Sequence, residues 1–124
     1  KMATMKPYLR ITGTHLNVGV NEETELQLSD KSEPWLLVSF HYVRSGGSAA
    51  TYTPRLGQAA SFTDGDINER MVFGSTLVAD ATNDVFSVPI PCWTDSAGKL
   101  YFRPGFNTGS DNDGDYEFVF FRGR

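Results

Sequence analysis

The chain has one cysteine, Cys92, in 124 residues. It can hold no internal disulfide, and with only His15 and His41 available it can assemble no Cys/His zinc site. Cys92 therefore reads as a small core residue. Clustered positive charge is also missing. Eleven Lys and Arg against fifteen Asp and Glu leave a formal net charge of −4, with Lys1 and Lys6 near one end and Arg122 and Arg124 at the other. Duplex nucleic acid is gripped by several cations on one face, so no nucleic-acid partner is expected. The longest apolar runs, Trp35-Leu36-Leu37-Val38 and Phe118-Val119-Phe120-Phe121, are too short to span a bilayer, and no membrane partner is expected. Helical periodicity is absent from every stretch long enough to carry it.

What is present is an aromatic interior. Nine Phe, five Tyr and two Trp accompany 40% apolar residues, a composition that suits packed sheets. The length fits one domain, which buries roughly two-thirds of the surface its unfolded chain exposes and needs no metal or disulfide to fold. Residues 1–6, Lys1-Met2-Ala3-Thr4-Met5-Lys6, read as an N-terminal arm, frayed or ordered by a neighbour, ahead of a single domain over 7–124.

Along that domain the hydrophobic period is two. Tyr8 to Thr12 is β-rich and ends at Gly13. Leu16, Val18 and Val20 alternate with small polar residues before a turn at Asn21-Glu22-Glu23, and Leu26 and Leu28 alternate with Glu25 and Gln27. The longest strand is expected over Trp35–Arg44. Strict alternation there puts Leu36, Val38, Phe40 and Tyr42 on one face and Trp35, Leu37, Ser39, His41 and Val43 on the other. Bulk on both faces marks it as central. Ser45-Gly46-Gly47-Ser48 follows as a Gly-Gly hairpin turn.

Thr51-Tyr52-Thr53, Arg70–Phe73 and Thr76–Ala79 are further strands, with a loop over Ser61–Asn68 and a polar turn over Asp80–Asp84. Val85, Phe86 and Val88 lead into Pro89-Ile90-Pro91, which is excluded from a central strand and belongs at an edge or a bend. Asp95-Ser96-Ala97-Gly98 closes a hairpin into Leu100–Arg103. A loop over Pro104–Gly114 precedes the closing strand Tyr116–Arg122, with Tyr116, Phe118 and Phe120 on one face. About eight strands with regular turn signals predict an all-β antiparallel sandwich, jelly-roll-like, with Phe40 and Phe118 in its core.

Candidate chemistry is sparse. Asp111, Asp113 and Asp115 at spacing two could supply calcium oxygens, but Gly114 stands fourth from Asp111 instead of sixth and the distal Glu is missing. Asp64-Gly65-Asp66 has Glu69 nearby but no third acid at the right spacing, and such pairs are favoured in turns in any case. No metal site is assigned. Neither His15 nor His41 stands in a recognisable nucleophile context, no Gly-x-Ser-x-Gly elbow occurs, and Ser45-Gly46-Gly47-Ser48 has no following Lys to cradle phosphate. Glu22, Glu23, Glu25, Glu33, Asp66 and Glu69 offer carboxylates that sequence cannot pair across a cleft. No catalytic or cofactor-binding residue is assigned, and the chain reads as a non-enzyme.

Two binding readings remain. Carbohydrate recognition would use Trp93, Tyr52, Tyr101 or Trp35 as aromatic platforms beside the loop Asn107–Asp115, with host glycans as one ligand. Assembly would use the bulk on both faces of the central strand and the N-terminal arm. Three features carry a resemblance: Val88-Pro89-Ile90-Pro91, the hydroxyl- and Gly-rich stretches Ser45–Thr53 and Asn107–Gly114, and the aromatic closing strand Tyr116-Glu117-Phe118-Val119-Phe120-Phe121. In this style of construction the chain resembles small bacteriophage structural proteins, the capsid decoration (cement) and fibre β-sandwich domains. That resemblance implies a non-enzymatic protein of the virion, a homo-oligomer with a trimer favoured, that binds the major capsid protein or another virion protein. It carries over no functional residue.

Overall fold

The computed structural model describes residues 8–60, 69–72, 77–78 and 81–122, with the backbone alone over 69–72, 77–78 and 81–88. The arm at 1–6, the loop at 61–68 and the motif Asp64-Gly65-Asp66 lie outside the described residues.

The described residues hold ten strands in order: β1 (Tyr8–Val18), β2 (Thr24–Gln27), β3 (Pro34–Gly46), β4 (Thr51–Tyr52), β5 (Arg55–Gly57), β6 (Glu69–Val72), β7 (Leu77–Val78), β8 (Ala81–Trp93), β9 (Lys99–Arg103) and β10 (Asn112–Arg122). No helix occurs among the described residues. Eight of the strands build two antiparallel four-stranded sheets, β1-β10-β3-β8 and β2-β9-β5-β6, while β4 and β7 form a two-stranded pair and Tyr52 of β4 also bridges to Phe106.

The pairing is nested. β1 pairs with β10, β2 with β9, β3 with β8 and β5 with β6, so the chain behaves as one long hairpin rolled into two layers. That is an all-β antiparallel sandwich, the class the sequence predicts. The layers meet through aromatic side chains: the Phe102 ring from the second sheet lies 5.0 Å from Phe118 and 5.5 Å from Phe40 of the first. Phe40, Phe118, Phe120, Leu37, Leu56, Leu100 and Phe102 are fully buried in one core.

Nesting corrects several local expectations. Gly46-Gly47 is no hairpin turn, because β3 pairs with β8 and β10 and never with β4. Asp95–Gly98 does turn the chain, with Gly98 N–H donating to the Asp95 carbonyl at 3.0 Å, but it carries the chain from one sheet to the other. The residues 81–84, expected as a turn, are strand: they pair with Val43, Tyr42, His41 and Phe40 of β3, where ladder hydrogen bonds outweigh polar composition. β10 likewise begins at Asn112, inside the expected loop. The two prolines fall where proline must, since β8 is an edge strand of its sheet.

The largest correction concerns β3. Against β10 the adjacent Val119 and Phe120 face Ser39 and Leu37, so Val38 is an extra residue of β3, a β-bulge, and the β8 ladder shifts at the same place, from Ile90 to Val85. Alternation therefore slips by one, and the buried residues are Trp35, Leu37, Phe40 and Tyr42. Leu36 and Val38 belong to the outer face, and so does His41, which no longer shares a face with Trp35 and Leu37.

Candidate functional site: the outer face of the first sheet

Antiparallel partners share a face, so register identifies what the first sheet shows to the outside. One line across all four strands reads Tyr8, Phe121, Leu36, Pro91. Tyr8 is 51% and Phe121 44% exposed, Pro91 is exposed and Leu36 half-buried. The neighbouring line sets Trp93, 53% exposed, opposite Pro34. Half of each of three aromatic rings amounts to on the order of 300 Å² of apolar surface, before the leucine and prolines are added. A patch of this size on one sheet face is in the range that marks an interaction surface.

The other half of the same face is polar. Arg10, Thr12, Thr14, His41, Asp115 and Glu117 line an open groove of about 430 Å³. Its groups are largely engaged with one another. Arg10 Nε donates to Glu117 at 2.5 Å, and the Thr14 hydroxyl donates to Asp115 at 2.6 Å. The face is thus divided along the strands into an apolar end and a hydrogen-bonded polar end.

The candidates named from sequence separate cleanly. Asp111 accepts from the Ser48 hydroxyl at 2.9 Å, and these bonds hold its carboxyl below the usual range. Asp113 accepts from Asn17 N–H at 2.9 Å, and Asp115 from Thr14. Among the described residues no three His, Cys, Asp or Glu side chains gather as a metal-binding group. Asn107 is also used internally, accepting from the N–H groups of Ala50 and Thr51 at 3.0 and 3.1 Å. Asn112 is buried.

Of the aromatic platforms, Tyr52 and Trp35 are core residues, which removes them as sugar-stacking faces, and Tyr101 is half-buried. Trp93 remains available. Cys92 is buried as expected, and burial pushes its thiol up to about 12.

His15 lies inside the sandwich. Its Nε2 is 2.5 Å from the Tyr42 hydroxyl and its Nδ1 is 3.3 Å from the Thr24 hydroxyl. Burial holds the imidazole below its ordinary 6.5, against the opposing pull of Asp113, Asp115 and Glu22. The same burial raises the Tyr42 phenol. Gly114, opposite His15, leaves the space this pair occupies: a Cβ there would lie 2.0 Å from the Tyr42 hydroxyl oxygen.

No protein-family profile matches the chain, and no curated protein does. The chain is similar to a chain of the acidic stable capsid structure of Helicobacter pylori bacteriophage KHP30. The two are 11% identical over 90% of this chain and 93% of that one, with a TM-score of 0.38. No residue correspondence follows at that level.

Sequence reasoning missed the apolar row because its members are scattered over the chain at 8, 36, 91 and 121. Its one local signal was bulk on both phases of β3. Sequence also missed the buried ion pair in which Arg103 Nε donates to Glu23 at 2.8 Å.

Proposed function

We propose that the chain is a non-enzymatic virion structural protein, a capsid decoration (cement) or fibre domain that binds neighbouring virion proteins. The observation that supports this best is the apolar end of the outer face, Tyr8, Phe121, Leu36 and Pro91 in one register line with Trp93 beside it. A sheet face in a two-layer sandwich is ordinarily hydrated and alternates polar outward. This one presents aromatic rings that gain by being covered, and a protein face is the partner that covers flat apolar surface. The jelly-roll-like order is an architecture that viral capsid domains and lectins both use, and it agrees with either binding reading.

The test is peptide mapping and immunogold labelling of purified virions whose genome encodes the chain, with wild-type and Trp93→Asp/Phe121→Asp chains supplied in trans. The wild-type chain is expected in fixed stoichiometry on the particle, and the variant at least tenfold less. Absence of the wild-type chain from purified particles would overturn the reading. A second reading rests on the exposed ring of Trp93, a platform for a sugar. Retention on a glycan panel, lost in Trp93→Ala, together with absence from particles, would put it first.

A further inference from the structure

We infer that the chain pairs with a second copy of itself along the free edge of β1, antiparallel, about a two-fold axis through Thr12. The inference stands apart from the virion reading and needs no capsid.

The two edges of the first sheet differ. β8 carries Pro89 and Pro91, which remove ladder donors, whereas β1 is an eleven-residue strand without proline or lysine. Among the described residues β1 pairs only with β10, in regular register from Tyr8 to His15 with a bulge between His15 and Val18, so its other edge presents backbone donors and acceptors in a row over Tyr8–His15 and Leu16 stands where the bulge begins. Such an edge is a template for another strand.

The side chains choose the strand and its register. The exposed large hydrophobics of β1 are Tyr8 and Leu16, 51% and 66% exposed. Both lie on the outer face, since His15 beside Leu16 is buried inward and Tyr8 shares the line of Phe121. Tyr8 stands four residues before Thr12 and Leu16 four after it. An antiparallel pair centred on Thr12 therefore sets Tyr8 of each copy against Leu16 of the other, twice, with the two Thr12 side chains face to face.

Charge agrees with this register. Arg10 falls opposite Thr14 of the second copy, and Thr14 is the register partner of Asp115. The guanidinium is then within two strand spacings of a second carboxylate, about 9.6 Å, a gap its long side chain can bridge. Moving the axis one residue, to Gly13, would set Tyr8 against the buried Val18 and Leu16 against Arg10, losing both matches. The product is a continuous eight-stranded sheet with two-fold symmetry, in contrast to the trimer that the phage resemblance favours.

The test is site-directed crosslinking of the full chain. Native Cys92 is buried and leaves the introduced thiol as the reactive one. Directly opposed antiparallel residues lie within disulfide range, so Thr12→Cys is expected to form a dimer under mild oxidation at least tenfold faster than Tyr8→Cys or Leu16→Cys alone. An equal mixture of Tyr8→Cys and Leu16→Cys chains should crosslink as the mixed dimer. Equal rates for all three single variants, or no crosslinking of any, would overturn the register. In sedimentation velocity, Tyr8→Lys should weaken the dimer at least tenfold and Tyr8→Lys/Leu16→Asp should restore it. A dimer indifferent to Tyr8→Lys, or a monomer at every concentration, would overturn the interface.

Discussion

The two ends of the sandwich interior are built from different physics. At one end the register lines of the first sheet run Trp35 with Cys92, then Leu37 with Phe120 and Ile90, then Phe40 with Phe118 and Ile11. These are apolar contacts whose value follows buried area. Toward the other end the lines become Tyr42 with Tyr116 and Gly13, then His15 with Gly114, and finally Asn112 with Val18. Here the interior is polar, and every group needs a partner: Tyr42 for His15, Glu23 for Arg103, three backbone groups for Asn112. The apolar end supplies stability and tolerates changes of condition. The polar end fixes one arrangement of loops, adds little net energy, and fails abruptly when a partner is lost.

The apolar end should give the largest single effect. Phe118 is fully buried, with Phe40 and Phe102 each 5.0 Å away between ring centroids. Phe118→Ala is expected to cost about 3–5 kcal/mol in urea titration, and Phe40→Ala about the same. A loss well under about 1 kcal/mol would mean the layers do not meet there.

Asn112 probes the polar end. Its Oδ1 accepts from Ala49 N–H, and its Nδ2 donates to the carbonyls of Val18 and Thr108, all at 3.1 Å. Asn112→Ala removes few apolar contacts but leaves three backbone groups without that partner, at about 2–3 kcal/mol. The sharper expectation is Asn112→Asp, which keeps the acceptor and loses both donations. If Asp is tolerated as well as Asn, the donated bonds are not what holds the end together.

How much of this was legible in sequence follows the same division. The all-β class, the edge position of Pro89 and Pro91, and the buried face of Tyr116, Phe118 and Phe120 are local consequences of period and proline chemistry, and the structure bears them out. The β3 bulge was not legible, because Val38-Ser39-Phe40 alternates acceptably in either phase and only pairing with β8 and β10 selects one. Residues 81–84 look like a turn for the same reason: strand there is imposed by β3. Asn112, Asp113 and Asp115 looked like surface or ligand groups, since nothing local shows that Ala49, Asn17 and Thr14 claim them from far along the chain. The outer-face row was legible only as excess bulk. Its existence depends on four strands arriving in register.

The smallest effect is the one that separates the ends most clearly, because it is selected by pH. Burial holds His15 below 6.5, so between 6.5 and the folded value the unfolded chain binds a proton that the folded chain refuses. The contribution of neutral His15 is therefore fully present above 6.5 and is lost as pH falls from 6.5 toward the folded value, below which both states are protonated and the loss levels off. His15→Gln keeps a polar side chain and removes the titration. The difference in unfolding free energy between wild type and His15→Gln, followed from pH 7.5 to pH 5, should shrink in wild type's disfavour as the solution is acidified. The same comparison between wild type and Phe118→Ala should be flat, because the phenylalanine changes no protonation equilibrium. A flat His15→Gln difference would mean that water reaches the imidazole in the folded state, and that the end closed by Tyr42 and Thr24 is open to solvent.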